Sequence, residues 1–407
     1  MDYFNQITPE YLFSLQGRCR YKIKIELLSA GEHVIGEVTQ DLSLSNQGQI
    51  TINYGSITRR SCTITLVNKY GRYNPDENKF FWVDRKFKLW VGVAYKDNIY
   101  WFAQGIYYTT EVSSDTNTVT INGVDKGGAL DGTLKLNLSE TQYIIEKGSS
   151  IYNVVRDTLL LNDNSSVIDP AEPFIDDFFK SQIIEADISI NENEYIGTLF
   201  TQMAEQYGAD VYYDVNGRLN FTRLVDGEFV DGYMRLPIQH SFDDNNAHYL
   251  QSTLSYTYDY VNAVTVFTNI NAQDSEGIPI PNVSYTAYNT NPLSPLSIYN
   301  IRTRRMESVE VNFINSLTQE QMEKRCKEHA KYLLLKTSLE KMAIQFTSSI
   351  VPHLEVNGVI QLTDRHKNLI GQKFVVQEIT MPLYAGEMSV SATNINMLPS
   401  DSDIERR

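Results

Sequence analysis

From Arg20 to Ile121, apolar and polar residues change places at every second position. Tyr21-Lys22-Ile23-Lys24-Ile25-Glu26-Leu27, Cys62-Thr63-Ile64-Thr65-Leu66 and Thr118-Val119-Thr120-Ile121-Asn122 all carry this period, as a half-buried strand does. Phe87 to Val93 is apolar on both phases and predicts a strand covered on both faces. Turn residues separate the runs at Asn46-Gln47-Gly48, Asn68-Lys69-Tyr70-Gly71, Lys96-Asp97-Asn98 and Ser113 to Asn117. Many short strands with little helix predict an all-β first domain over residues 1–138, a barrel or sandwich.

The period then changes. Ser149 and Ser150 stand ready to cap a helix with Ile151, Val154, Val155 and Leu159 on one stripe. A second helix carries Ile196, Leu199, Phe200, Met203, Ala204 and Tyr207, with Gly208 at its left-handed cap. Asn216-Gly217 joins the runs Val211 to Tyr213 and Arg218 to Phe221, which signals a hairpin on a tight primed turn. Residues 139–250 therefore read as an α+β middle region, with a loop from Asp169-Pro170 to Pro173 between its helices.

Alternation returns at Asn262 to Phe267 and opens a second β domain over 251–397. Residues 269–300 hold Pro279, Pro281, Pro292 and Pro295 among Asn and Ser, so they read as a long loop. Thr318 with Gln321 forms a capping box for a helix over 318–336, with Met322, Cys326, Ala330, Leu333 and Leu334 on its apolar stripe. Strands follow at Lys341 to Thr347, Val356 to Thr363, Lys373 to Thr380 and Met388 to Asn394. Residues 398–407 form a charged tail. The fold class is mainly β with an α+β middle: two related barrels plus smaller α/β inserts.

An internal echo supports the pairing of the two β domains. Phe87 to Val93, a polar turn, Gly105, and the strands Ile106 to Val112 and Thr118 to Asn122 form one series. Val356 to Leu362, a polar turn, Gly371, and the strands Lys373 to Thr380 and Met388 to Asn394 repeat it.

Composition narrows the function. The 407 residues hold 35 Lys and Arg against 50 Asp and Glu, a net charge of −15. Nonspecific DNA or anionic-membrane binding needs a cationic footprint and is excluded as a main role. With 26 Tyr and 17 Phe the chain is too aromatic to be disordered. Neither a membrane span nor a secretory leader is predicted. Cys19, Cys62 and Cys326 stand too far apart to suggest a disulfide framework or thiolate zinc site. Residues 1–140 balance at zero, 141–250 carry −13 and 251–407 carry −2. The acidic middle reads either as a well-solvated domain or as a surface that rejects a passing polyanion.

Sites of chemistry are scarce. The six histidines lack HExxH spacing, and His329 beside Glu328 reads as a lone surface histidine. Asp243-Asp244-Asn245-Asn246 and Asp176-Asp177 lack the rest of a calcium loop. There is no G-x-S-x-G elbow, and Val124-Asp125-Lys126-Gly127-Gly128 lacks phosphate-loop spacing and reads as a turn into a short helix. No catalytic residue, metal or cofactor is predicted. Acid pairs for glycoside hydrolysis have no local signature, so a glycan-binding module or glycoside hydrolase is the alternative. The candidate interface residues are Arg59, Arg60, Phe80, Phe81, Trp82, Arg302, Arg304 and Arg305, the Arg and aromatic types that interface hot spots use.

Four stretches in order carry a family resemblance. They are Trp101-Phe102-Ala103-Gln104-Gly105-Ile106-Tyr107 with Val119 to Asp125 and Leu130; the helix-hairpin Leu199 to Phe221; the helix Thr318 to Leu335 with the strand Met342 to Thr347; and Leu354-Glu355-Val356-Asn357-Gly358-Val359-Ile360 leading to Val375 and Ala385-Gly386-Glu387-Met388. The chain resembles the tail hub, or baseplate hub, proteins of tailed bacteriophages and related contractile injection systems. It departs from them in having Asn357-Gly358 where Gly-Asp is frequent, and in its Pro-rich 269–300 stretch. The resemblance implies a non-enzymatic virion protein, assembled in the host bacterial cytoplasm. It implies a homotrimeric ring that adapts a hexameric tail tube, or distal tail protein, to a trimeric spike, fibre or plug. The tape-measure protein is a further expected partner, and DNA would pass through the ring without specific binding.

Overall fold

In the computed structural model, residues 7–399 are described except 17–19, 39–47, 75–81, 137–141, 161–168, 170, 186, 224–228, 246–248, 256–259, 270–280, 312–317, 342–343 and 384–385. A short helix α1 (Pro9–Leu15) precedes β1 (Arg20–Leu28), β2 (Val34–Glu37), β3 (Gln49–Asn53), β4 (Arg60–Val67), β5 (Lys86–Tyr95), β6 (Asn98–Ser114) and β7 (Thr118–Asp125). The middle region adds β8 (Tyr143–Ile145), α2 (Ile151–Leu159), β9 (Phe174–Ile175), α3 (Asp177–Lys180), β10 (Ile188–Ile190), α4 (Gly197–Tyr207), β11 (Ala209–Tyr213), β12 (Leu219–Arg223) and α5 (Phe229–Arg235). Then come β13 (Ile238–Asp243), β14 (Tyr249–Leu254), β15 (Ala263–Thr268), β16 (Ser284–Tyr288), α6 (Ile298–Ile301), β17 (Met306–Val311) and α7 (Gln319–Lys341). The chain closes with β18 (Ile344–Ser348), β19 (Val359–Asp364), β20 (Leu369–Pro382) and β21 (Met388–Asn394).

The strands sort into two sets with one plan. The first runs β3-β4-β7-β6-β5-β1 across the sheet, and the second runs β14-β18-β21-β20-β19-β13. Chain order matches as well as spatial order, so the repeat read from the sequence extends to six strands. The sets do not close separately into barrels. β3 pairs with β20, and among the described residues the two sets, with β2, join into one 13-stranded sheet. The physical reason is an edge: β19 leaves the last part of β20 uncovered, and β3 takes that place. One core unites them, with Ile25, Ile64, Val91 and Ile121 from the first set packed with Phe346, Leu362, Val376 and Val390 from the second.

The middle region has its own core, where the stripes of α2 (Val155, Leu159) and α4 (Leu199, Phe200) meet Phe221 of β12. Gly208 caps α4 at φ 65°, as its position predicts. The Asn216-Gly217 hairpin forms, but not on a tight primed turn. Tyr213 faces Leu219 and Asp214 N donates to Arg218 O at 3.0 Å, so Val215 to Gly217 make the loop, and Asp214 Oδ1 accepts from the amides of Asn216 and Arg218 at 2.9 and 3.0 Å. An aspartate that satisfies two loop amides favours the wider turn, and only Gly217 takes positive φ there (73°).

The stretch 269–300 holds more structure than a loop. β16 lies inside it and pairs with β15, and α6 follows. Its buried polar side chains bond backbone: Asn291 Nδ2 donates to Leu398 O at 2.8 Å and Ser294 Oγ to Met397 O at 3.1 Å. The capping box forms as read, Thr318 N donating to Gln321 Oε1 at 2.9 Å and Gln321 N to Thr318 Oγ1 at 3.3 Å. The helix it opens runs on to Lys341, beyond the expected end at 336, with Met322, Cys326 and Ala330 buried against Val264 and Val266.

Candidate functional site

A buried polar junction forms where β4 begins. Arg59 Nη2 lies 2.7 Å from Asp210 Oδ1 of β11, and its guanidinium stacks 3.8 Å from the Tyr212 ring centre. Arg60, fully enclosed, donates to the Tyr213 carbonyl and to Glu355 in the loop before β19. Burial works against the charge on each arginine. Asp210 beside Arg59 and Glu355 beside Arg60 outweigh it and hold both groups above the usual guanidinium range.

Asp125, at the end of β7, closes the junction from below. Its Oδ2 accepts from the amides of Arg59 and Arg60 at 3.0 and 2.8 Å, and its Oδ1 from Gly127 at 3.0 Å. Burial pushes its carboxyl up to about 6 despite these donors. Next door, Lys126 Nζ reaches Asp169 at 2.7 Å, Glu32 at 2.6 Å and the Gly217 carbonyl at 2.8 Å. Burial raises Glu32, but Lys126 and Lys86 overcome that and lower it overall. Buried pairs of this kind give little net stability against apolar packing, while leaving one partner alone is costly. Here the pairs set placement: three cations of the first set reach Asp169, Asp210 and Tyr213 of the middle region, and Glu355 of the second set.

Arg59 and Arg60 are therefore engaged inside the chain. Arg302, Arg304 and Arg305 are exposed where α6 leads into β17. Arg302 is the left-handed cap of α6, Arg304 lies over Tyr288 at 5.2 Å, and Arg305 lies over Tyr260 at 4.4 Å. Trp82 is 49% exposed, whereas Phe80 and Phe81 lie outside the described residues. The structure thus splits the candidates between an internal junction and two surface positions.

The residues read as chemically idle have structural roles. His329 is not a surface residue: it is 7% exposed, and its Nδ1 lies 2.7 Å from the Glu205 carbonyl. His353 sits between the Tyr11 hydroxyl (2.7 Å) and the Gln239 carbonyl (3.0 Å), and burial pushes it down to about 4. Asp243 and Asp244 hold Arg365, and Asp176 caps α3. Among the described residues no group of three His, Cys, Asp or Glu side chains could hold a metal ion, and no helix is long and apolar enough to cross a membrane.

Sequence reading passed over two strand edges. β5 pairs with β6 only as far as Tyr108, yet β6 continues to Ser114; β14 pairs with β18 alone among the described strands. The only sequence signal is the unequal length of neighbouring alternating runs.

No protein-family model matches the chain, and no curated protein matches it by sequence. Solved structures do. The tail protein from Neisseria meningitidis MC58 aligns over 92% of this chain and 96% of its own, at 11% identity and a TM-score of 0.60. The 43 kDa tail protein of prophage MuSo2 from Shewanella oneidensis aligns over 93% and 99%, at 14% identity and 0.55. A half-lidded PdpA–VgrG complex of Francisella covers 100% of this chain and 64% of that one, at 11% identity and 0.53. Over nearly its whole length, then, this chain has the fold of solved phage tail proteins.

Proposed function

We propose that the protein is a structural adaptor of a phage tail tip or baseplate, a homotrimeric hub between a hexameric tail tube or distal tail protein and a trimeric spike, fibre or plug. One observation carries the reading: six strands in one order occur twice per chain. Three chains then offer six similar faces, which is what a sixfold tube seated on a threefold spike requires. The role is mechanical rather than catalytic, and the site of action is the virion tail. A net charge of −15 offers passing DNA no cationic track, so a genome, or a tape-measure protein ahead of it, would slide rather than stick.

Mass and symmetry of the purified protein test this. The expected particle is three times the 46.5 kDa chain, about 140 kDa by light scattering, with threefold rings in class averages. A monomer at every accessible concentration overturns the reading.

A further inference from the structure

The ladder that joins the two sets within one chain leaves, among the described residues, a matching pair of edges with no strand beside them. Along the last part of β20, Ile50 faces Met381, Thr51 faces Thr380 and Ile52 faces Ile379. The ladder continues beyond the strand ends, with Tyr54 N donating to Gln377 O and Leu383 N to Gly48 O, each at 2.9 Å. β6 repeats this shape in the first set. Past Thr109, whose backbone still bonds Asp84 and Arg85, it keeps β7 on one side, and among the described residues no strand lies on the other. Among the described residues β14, the counterpart of β3, likewise has an outer edge with no strand along it.

Bulges fix the equivalence residue by residue. The β6–β7 ladder skips Thr110 and the β20–β21 ladder skips Gln377, so Glu111 corresponds to Glu378, Ser113 to Thr380 and Ser114 to Met381. On the other flank, Ile50 faces Cys62, which faces Gly123; Leu254 faces Ile344, which faces Ala392. Gly123 and Ala392 pair with Thr109 and Val376, immediately before the two bulges. Ile50 therefore corresponds to Leu254, and Thr51 to Ser255.

We infer that the end of β14 in one copy, with Ser255 just after it, adds, antiparallel, to the free edge of β6 in a second copy, with Leu254 opposite Ser114 and Ser255 opposite Ser113. Backbone amides and carbonyls on two bare edges supply the attraction. The hydroxyl pair Thr51–Thr380 inside the chain becomes Ser255–Ser113 between copies, both serines being exposed. Each copy uses a different surface on its two sides, so the contact propagates around a ring instead of closing a dimer. This deepens the trimeric reading and rests on it.

The test is a Ser113→Cys, Ser255→Cys double variant. Opposed strand residues hold their Cα atoms roughly 4.5–5.5 Å apart, within disulfide range. Oxidation should give a covalent trimer on a non-reducing gel from the double variant and none from either single variant. An intact threefold ring that forms no such bond overturns the edge contact while the adaptor reading stands; a wild-type monomer overturns both. In a second measurement, Ser113→Lys with Ser255→Lys should raise the half-assembly concentration about tenfold, and Ser113→Lys with Ser255→Glu should restore it. Equal assembly of the two charge variants also overturns the contact.

Discussion

The two strand sets share a ladder and differ at its margins. In the first set, residues 54–59 suffice to carry the chain from β3 to β4; in the second, residues 255–343 separate β14 from β18 and hold β15, β16, β17, α6 and α7. The outermost strand differs too, since β1 runs antiparallel to β5 whereas β13 runs parallel to β19. The inner four strands, the bulges and the short capped turn after the last strand are kept. Burial explains the division. The inner strands line one common core, where a slip of one residue would expose an apolar face. Connections run over the surface, where added length costs little closure entropy.

The largest expected effect asks whether the two sets unfold as one body. Ile64 and Phe346 hold the same ladder position, opposite Ile121 and Val390. Ile64→Ala and Phe346→Ala should each cost about 3–4 kcal/mol, because each leaves a cavity in the shared core. Denaturant titration should show a single transition for both; two separated transitions would mean that the common core does not couple the sets. Next comes Arg60→Ala, expected to cost about 3 kcal/mol by stripping Glu355 and the Tyr213 carbonyl of their donor. A loss below about 0.5 kcal/mol would mark the junction as incidental to stability.

Acidity separates the sets more gently. Asp125 in the first set and Asn394 in the second both cap the turn that follows, but only Asp125 titrates. Its folded value of about 6 lies above the unfolded carboxylate value, so its contribution is fully present at pH below about 4 and is lost as pH rises through 6. His353, pushed down to about 4, acts in the opposite sense, favouring the folded state above about 6.5 and losing that as pH falls. Only the difference between wild type and Asp125→Asn isolates the carboxyl. Stability relative to Asp125→Asn should fall on the order of 2 kcal/mol from pH 4 to 6.5, and parallel curves would remove the claim. The smallest effect concerns the brace between the first set and the middle region. Gly217→Ala would place a Cβ 2.7 Å from Ile106 Cδ1 at a φ of 73°, and should lower thermal stability by about 1 kcal/mol. Unchanged melting would show that this contact yields freely.

Much of the fold was legible because burial imposes its period on the residues. Tyr21 to Leu27, Cys62 to Leu66 and Met388 to Asn394 alternate and are strands; the α4 stripe and Gly208 mark one helix from face to cap. What stayed hidden depends on partners far along the chain. Whether β20 closes its own barrel or receives β3 is decided by residues some 330 positions apart, as in Ile52 facing Ile379. The arginine doublet could be read as notable, but not as internal, because Asp210 and Glu355 become its neighbours only through folding. His329 looked exposed since its acceptor, the Glu205 carbonyl, has no signature in a string of letters.

In the threefold ring proposed above, the intramolecular pairing of β3 with β20 would tether half the seams through the polypeptide itself. A tethered seam forms at an effective concentration in the millimolar range and reseals whenever it parts. Seams between separate molecules have no such insurance. Strain that widened the proposed ring would therefore fall on three of its six joints, and its aperture would open in thirds.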